Sequence, residues 1–153
     1  MAKLEVISVE DGFCRSLLEQ FKQYASVPDD SRDALLESLL RSSILLVQEF
    51  ADKAIVPTTI RQTARVPEGS GIIRLYQGGG DILSVTVNGE DASFDPLPGG
   101  RVQLYVRSGE AQVTYTTVPE DLTKILPTVF RYATALYDGE EGDTLKKILM
   151  EAL

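Results

Sequence analysis

Residues 31–54 read SRDALLESLLRSSILLVQEFADKA, and this stretch decides how the chain is read. Leu36, Leu39, Leu40, Ser43, Leu46, Val47, Phe50 and Ala54 recur at steps of three and four, which places them on one face of an α-helix. Ser31 is positioned to cap its start, and Asp33 puts a negative charge in the first turn, where the helix dipole favours it. Glu37–Arg41 and Glu49–Lys53 are i,i+4 pairs in the favourable order. Leu45 and Ile44 do not fit a one-sided helix: the first falls on the polar face, the second at the edge of the apolar stripe. A lone surface leucine is common. A helix covered on two sides, once by its own domain and once by a neighbour, accounts for both residues. Ile44, Leu45 and Gln48 are therefore the expected contact with another subunit.

Working toward the N-terminus, Pro28-Asp29-Asp30 breaks the chain before this helix. Val9, Phe13, Leu17, Leu18, Phe21 and Tyr24 form an earlier helical stripe over residues 9–25, with Ser8 as its cap and Asp11 in its first turn. Lys3 to Ile7 reads as an extended lead-in.

Working toward the C-terminus, the period changes from 3.6 to 2 after Pro57. Thr58–Val66 alternates as a half-buried strand, and Ile72–Tyr76, Ile82–Val87, Ala92–Phe94, 102–106 and Ala111–Val118 follow as further strands. Short turns separate them, among them Asn88-Gly89, the strongest short hairpin signal. Pro119-Glu120-Asp121 reads as a helix start, with Leu122, Ile125, Leu126, Val129, Phe130, Ala133, Leu136 and Tyr137 on its apolar face. Pro127 falls inside that pattern and predicts a kink or break near 123–126. A short final helix, 144–153, capped by Asp143, carries Leu145, Ile148, Leu149 and Ala152 on one side. It is too short to persist alone, so it is expected to dock on a neighbour through Leu145, Ile148 and Leu149 or to pack on its own domain.

The fold class expected is α+β in one domain of 153 residues: 1–57 helical with one long central helix, 58–118 an antiparallel sheet of about five or six strands, and 119–153 helical. The composition is that of a soluble globular protein, with a net charge of −8. No basic stripe points to nucleic acid, no apolar run spans a bilayer, and MAKLEVISVEDG carries no signal-peptide pattern. The single cysteine, Cys14, suits a reducing compartment and reads as a half-buried small hydrophobe. With no histidine, the usual general base and metal ligand are both missing. Gly78-Gly79-Gly80 lacks the lysine and spacing of a phosphate loop, and residues 138–143 lack those of a calcium loop. Asp29, Asp30 and Asp33 read as acids gathered before a helix N-terminus rather than as catalytic carboxylates. The arginines of the sheet, Arg61, Arg65, Arg74, Arg101 and Arg107, are expected to meet acidic groups of this or a neighbouring protein. No enzyme, cofactor or metal is expected.

The order of these parts resembles the head–tail connector (adaptor, or head-completion) family of long-tailed double-stranded DNA phages and prophages. The resemblance covers about residues 8–137. It rests on the acidic break PDDSRDALL leading into a long helix that ends VQEFADKAIVP, on ILSVTVNGEDASF, and on the strand-to-helix passage QVTYTTVPEDLTKILPTVFRYATALYDGEE. Pro127, and Asp138-Gly139 where the family has a polar residue followed by arginine, depart from its pattern.

The resemblance implies a homo-oligomeric ring, dodecameric in the virion neck, assembled in the host bacterial cytoplasm. Its partners would be the portal protein and the next neck or tail-completion protein. DNA would pass through its centre without specific binding, and no membrane is involved. The charge agrees: residues 1–57 hold six basic and ten acidic side chains, and residues 119–153 hold four and seven. An acidic wall repels phosphates and lets a duplex slide. Two other readings stand beside it, a non-viral module that binds protein or ligand and a small carboxylate-dependent enzyme.

Overall fold

The computed structural model describes residues 2–67, 69–119 and 124–151. The expected roles of the Asp11, Phe13 and Cys14 side chains, and of Glu120, Asp121, Leu122 and Ala152, lie outside what is described. The chain is α+β, as its periodicities require, and forms two compact units. One comprises 1–9 and 57–118, the other 10–56 and 119–153.

The first unit is all β. Strands β1 (Lys3–Val9), β2 (Thr58–Arg65), β3 (Ile72–Arg74), β4 (Gly80–Val87), β5 (Glu90–Asp91), β6 (Phe94–Leu97), β7 (Arg101–Leu104) and β8 (Glu110–Thr117) make two antiparallel sheets. Their orders are β1-β2-β8-β4-β5 and β3-β7-β6. The sequence anticipates a single sheet; two form because both place apolar side chains into one core. Ile60, Val85, Val113 and Tyr115 of the larger sheet and Ile73, Val102 and Leu104 of the smaller enclose it together. The extended lead-in is a full edge strand, paired to β2 with Val6 opposite Ile60. This strand runs through Ser8 and Val9, so the first helix is capped by Glu10, not Ser8. At Asn88-Gly89 both residues take positive φ, 53° and 83°, the type I′ geometry of a two-residue hairpin. The return strand is Glu90–Asp91, and Phe94 belongs to the smaller sheet.

A buried polar clamp joins the layers. Gln62 Nε2 donates to the Arg74 carbonyl at 2.9 Å, and its Oε1 accepts from the Tyr76 amide at 3.1 Å and from the Tyr115 hydroxyl at 3.0 Å. The glycine run is not a loose loop. At Gly80, the first residue of β4, a Cβ would overlap the Thr116 carbonyl oxygen, so only glycine lets β4 close on β8.

The second unit is helical: α1 (Asp11–Ala25), α2 (Asp33–Ala51), α3 (Leu126–Tyr137) and α4 (Gly142–Met150). Leu17, Phe21, Leu36, Leu40, Ile44, Val47, Val129 and Ala133 are buried, and the Phe21 and Phe130 rings stack with centroids 5.8 Å apart. Pro127 does not kink a long helix. It stands in the first turn of α3, where its missing N–H costs nothing and its fixed φ favours the start. The central helix begins at Asp33 rather than at a Ser31 cap, because Asp29 takes both Ser31 donors, the amide at 3.0 Å and the hydroxyl at 2.6 Å. These bonds hold the Asp29 carboxyl below the usual carboxylate range.

Candidate functional site

Three places in the helical unit bear on function. The first is the acidic break between α1 and α2. Lys22 is buried near the end of α1, and its ammonium lies 2.5 Å from Asp30, 2.9 Å from Asp33 and 3.8 Å from Glu19. Its hydrogen bonds to Asp30 and then Asp33 raise its pKa above the ordinary lysine range. Among the described residues, Glu19, Asp30 and Asp33 are the acids gathered closely enough to hold a metal ion. The lysine ammonium occupies the position a cation would take. The acids read as helix-start charges thus form an internal ion-pair cluster that pins the break to α1.

The second is the surface of α2. Ile44 and Gln48, expected at a subunit contact, are wholly buried in their own unit. Gln48 Oε1 accepts from the Ile55 amide at 2.9 Å and the Val56 amide at 2.8 Å, which holds the segment leaving the helix. Leu45 is half-buried. The periodic stripe in the sequence mixed two adjacent faces. The interior face is Leu36, Leu40, Ser43, Ile44, Val47 and Gln48. Beside it runs an apolar stripe of Leu35, Leu39, Leu46 and Phe50, spaced by four, seven and four residues and about 22 Å long. Leu39 is half-buried, while Leu35, Leu46 and Phe50 are 50%, 37% and 39% exposed. The helix has two apolar faces as the sequence suggested, but the outer one lies at Leu35, Leu46 and Phe50. The 4-7-4 spacing was there to be found. Leu35 was passed over, and Leu46 and Phe50 were assigned inward, because contiguous apolar positions on a helix cannot be divided into faces without knowing where the neighbouring helices lie.

The third is α4. Leu145, Ile148 and Leu149, expected to dock on another molecule, pack within their own unit. Ile148 is buried with Tyr132 and Ala135, and Leu145 and Leu149 lie against that cluster with Leu136. An amphipathic helix of nine residues finds its cover on the nearest apolar face, here α3. An ion pair between Arg131 and Glu151 secures its end. In the β unit, Arg61 meets Glu5 at 3.6 Å, and the Arg74 guanidinium lies 5.2 Å from the Tyr76 ring centroid.

No family model matches the sequence, and no curated protein does. Solved structures do. A chain in the neck of an empty gene transfer agent particle, computed with C6 symmetry, superposes with a TM-score of 0.72. It is 14% identical, over 98% of this chain and 94% of its own. A chain in the neck of the native particle, computed with C12 symmetry, gives 0.67 at 14% identity, with the same coverage. A chain of the native particle's virion gives 0.69 at 14% identity, over 96% of this chain and 93% of its own. This chain shares their fold. The likeness spans both units, so the order of helices, sheet and helices is common to all three. No helix among the described residues is long and apolar enough to cross a membrane.

Proposed function

We propose that this chain is a structural neck protein: one subunit of a homo-oligomeric ring at the head–tail junction of a tailed-phage-type particle, through which DNA passes. The observation that carries the reading is the fold likeness over 98% of the chain to a chain in a particle neck. The exposed stripe of Leu35, Leu46 and Phe50 supports it, because a ring subunit needs apolar surface left over after its own core is closed. The acidic balance of the helical segments supports passage of DNA rather than retention. In this reading residues 1–153 act as one connector domain. The ring is dodecameric, sits between the portal protein and the next neck or tail-completion protein, and is assembled in the host bacterial cytoplasm. The chain has no catalytic task, and its acidic cluster binds its own lysine.

Immunogold labelling of particles with an antibody to this chain tests the location. Label at the junction of head and tail is the expected result. Label along the tail tube or over the capsid faces, or particles without the chain, overturns the reading.

A further inference from the structure

The larger sheet has two open edges, and they match one another. One is β1, unpaired on its outer side along Lys3–Val9. The other is β4, which β5 covers only at Thr86 and Val87, with the Ala92 amide bonded to the Val85 carbonyl. Residues 80–84 therefore form an open edge. Each edge carries one β-bulge, at Ile7 between Val6 and Ser8 and at Leu83 between Ile82 and Ser84. Each bulged residue is apolar and solvent-facing, Ile7 at 44% and Leu83 at 61% exposure, with Val6 exposed beside Ile7.

Bulges at edges usually block indiscriminate strand pairing. Here they also present an apolar side chain at the same place on both edges. The charges differ in sign. On β1 the Glu5 carboxylate is engaged by Arg61, which leaves Lys3 as the charge on offer. The other edge offers Asp81, Glu90 and Asp91 and no basic residue in either strand.

We propose that β1 of one copy lies antiparallel against the β4–β5 edge of the next copy, with Ile7 and Val6 on Leu83. The direction follows from charge. Running antiparallel, with Ile7 opposite Leu83, Lys3 falls beside Glu90 and Asp91, where β5 flanks β4. Running parallel, Glu5 falls beside Asp81 and like charges meet. The contact is head-to-tail, because the two edges belong to opposite sides of one sheet, and a head-to-tail contact closes into a ring when its rotation divides the circle. This deepens the ring reading, on which it rests, by naming the surfaces that meet.

The test is a cysteine pair, Ile7→Cys with Leu83→Cys, in a chain with Cys14→Ser, oxidised gently and read on a non-reducing gel. Three strand spacings separate the two positions within one subunit, about 14 Å. A disulfide needs Cα atoms within about 7 Å, so any bond between residues 7 and 83 joins two copies. Dimers and higher multiples that collapse on reduction are expected, and Lys3→Glu should lower their yield by about two- to fivefold. Either single cysteine alone should give no ladder beyond dimer. Native mass of the unmodified chain is read alongside. Closed rings without a 7–83 disulfide overturn the edge contact and leave the ring reading standing. A 7–83 disulfide without closed rings keeps the edge contact and overturns ring closure. Monomers with no disulfide overturn both.

Discussion

Replacing Leu46 with Glu and Phe50 with Lys together removes the outer stripe of α2 without weakening the helix itself. Both residues are good helix formers, and Glu followed by Lys four positions later is a favourable pair. The two native side chains are 37% and 39% exposed. Fully burying a Leu or Phe is worth roughly 1.5–3 kcal/mol, so covering what remains of both gives about 2 kcal/mol at each subunit contact. Losing that lowers the association constant about 30-fold, before any cost of desolvating the new charges. The thermal melt of the isolated subunit should stay nearly where it was, within about 0.5 kcal/mol, because exposed substitutions rarely do more. The assay pairs sedimentation velocity across a concentration series with a melt of the dilute subunit. Assembly unchanged at every concentration would show that the stripe faces solvent in the ring. A subunit that melts many degrees lower would show that Leu46 and Phe50 belong to the interior.

Other substitutions separate interior roles from assembly. Gln48→Leu leaves the Ile55 and Val56 amides without their acceptor, which should destabilise the subunit by about 2–4 kcal/mol in chemical denaturation, whatever the assembly state. Gln62→Leu should cost about as much, since the Arg74 carbonyl, the Tyr76 amide and the Tyr115 hydroxyl each lose a partner, and Gln62→Glu should not restore the bond to the carbonyl. Ile148→Asp should lower the melting temperature of the free subunit, because α4 packs on Tyr132 and Ala135; an unchanged melt would return α4 to the role of a docking tail. Lys22 has a folded pKa above its unfolded value of 10.5, so its contribution to stability is complete below about that pH and is lost as pH rises through the folded value. The stability gap between the native chain and Lys22→Met should accordingly hold steady from neutral pH to about 10.5 and narrow above it.

The fold class could be read because its signals are local. The change from a 3.6 to a 2 period at Pro57, the Asn88-Gly89 turn and the long run from Ser31 each depend on a few neighbouring residues. The division of the strands into two sheets could not, since Val102 and Leu104 alternate in the same way whether they face a partner across a core or beside them in a ladder. Pro127 shows how a local signal can be weighed on the wrong element: it breaks a helix that is assumed to begin at Pro119, but starts one that begins at Leu126. The candidate contact was misplaced for a similar reason. Gln48 is polar and was put outside, yet its amide is consumed by two backbone donors that only the turn after α2 brings to it. Lys22 was not singled out, because a lone lysine beside Glu19 gives no sign that Asp30 and Asp33 will fold back onto it.

The central claim is that this chain closes into a ring, and native mass spectrometry over a concentration series tests it most directly. A closed assembly of fixed copy number, about 200 kDa for twelve copies of the 16.8 kDa chain, is the expected species at high concentration, with few intermediates between it and the monomer. A 16.8 kDa monomer at every concentration, or an open ladder of masses with no preferred size, would contradict it.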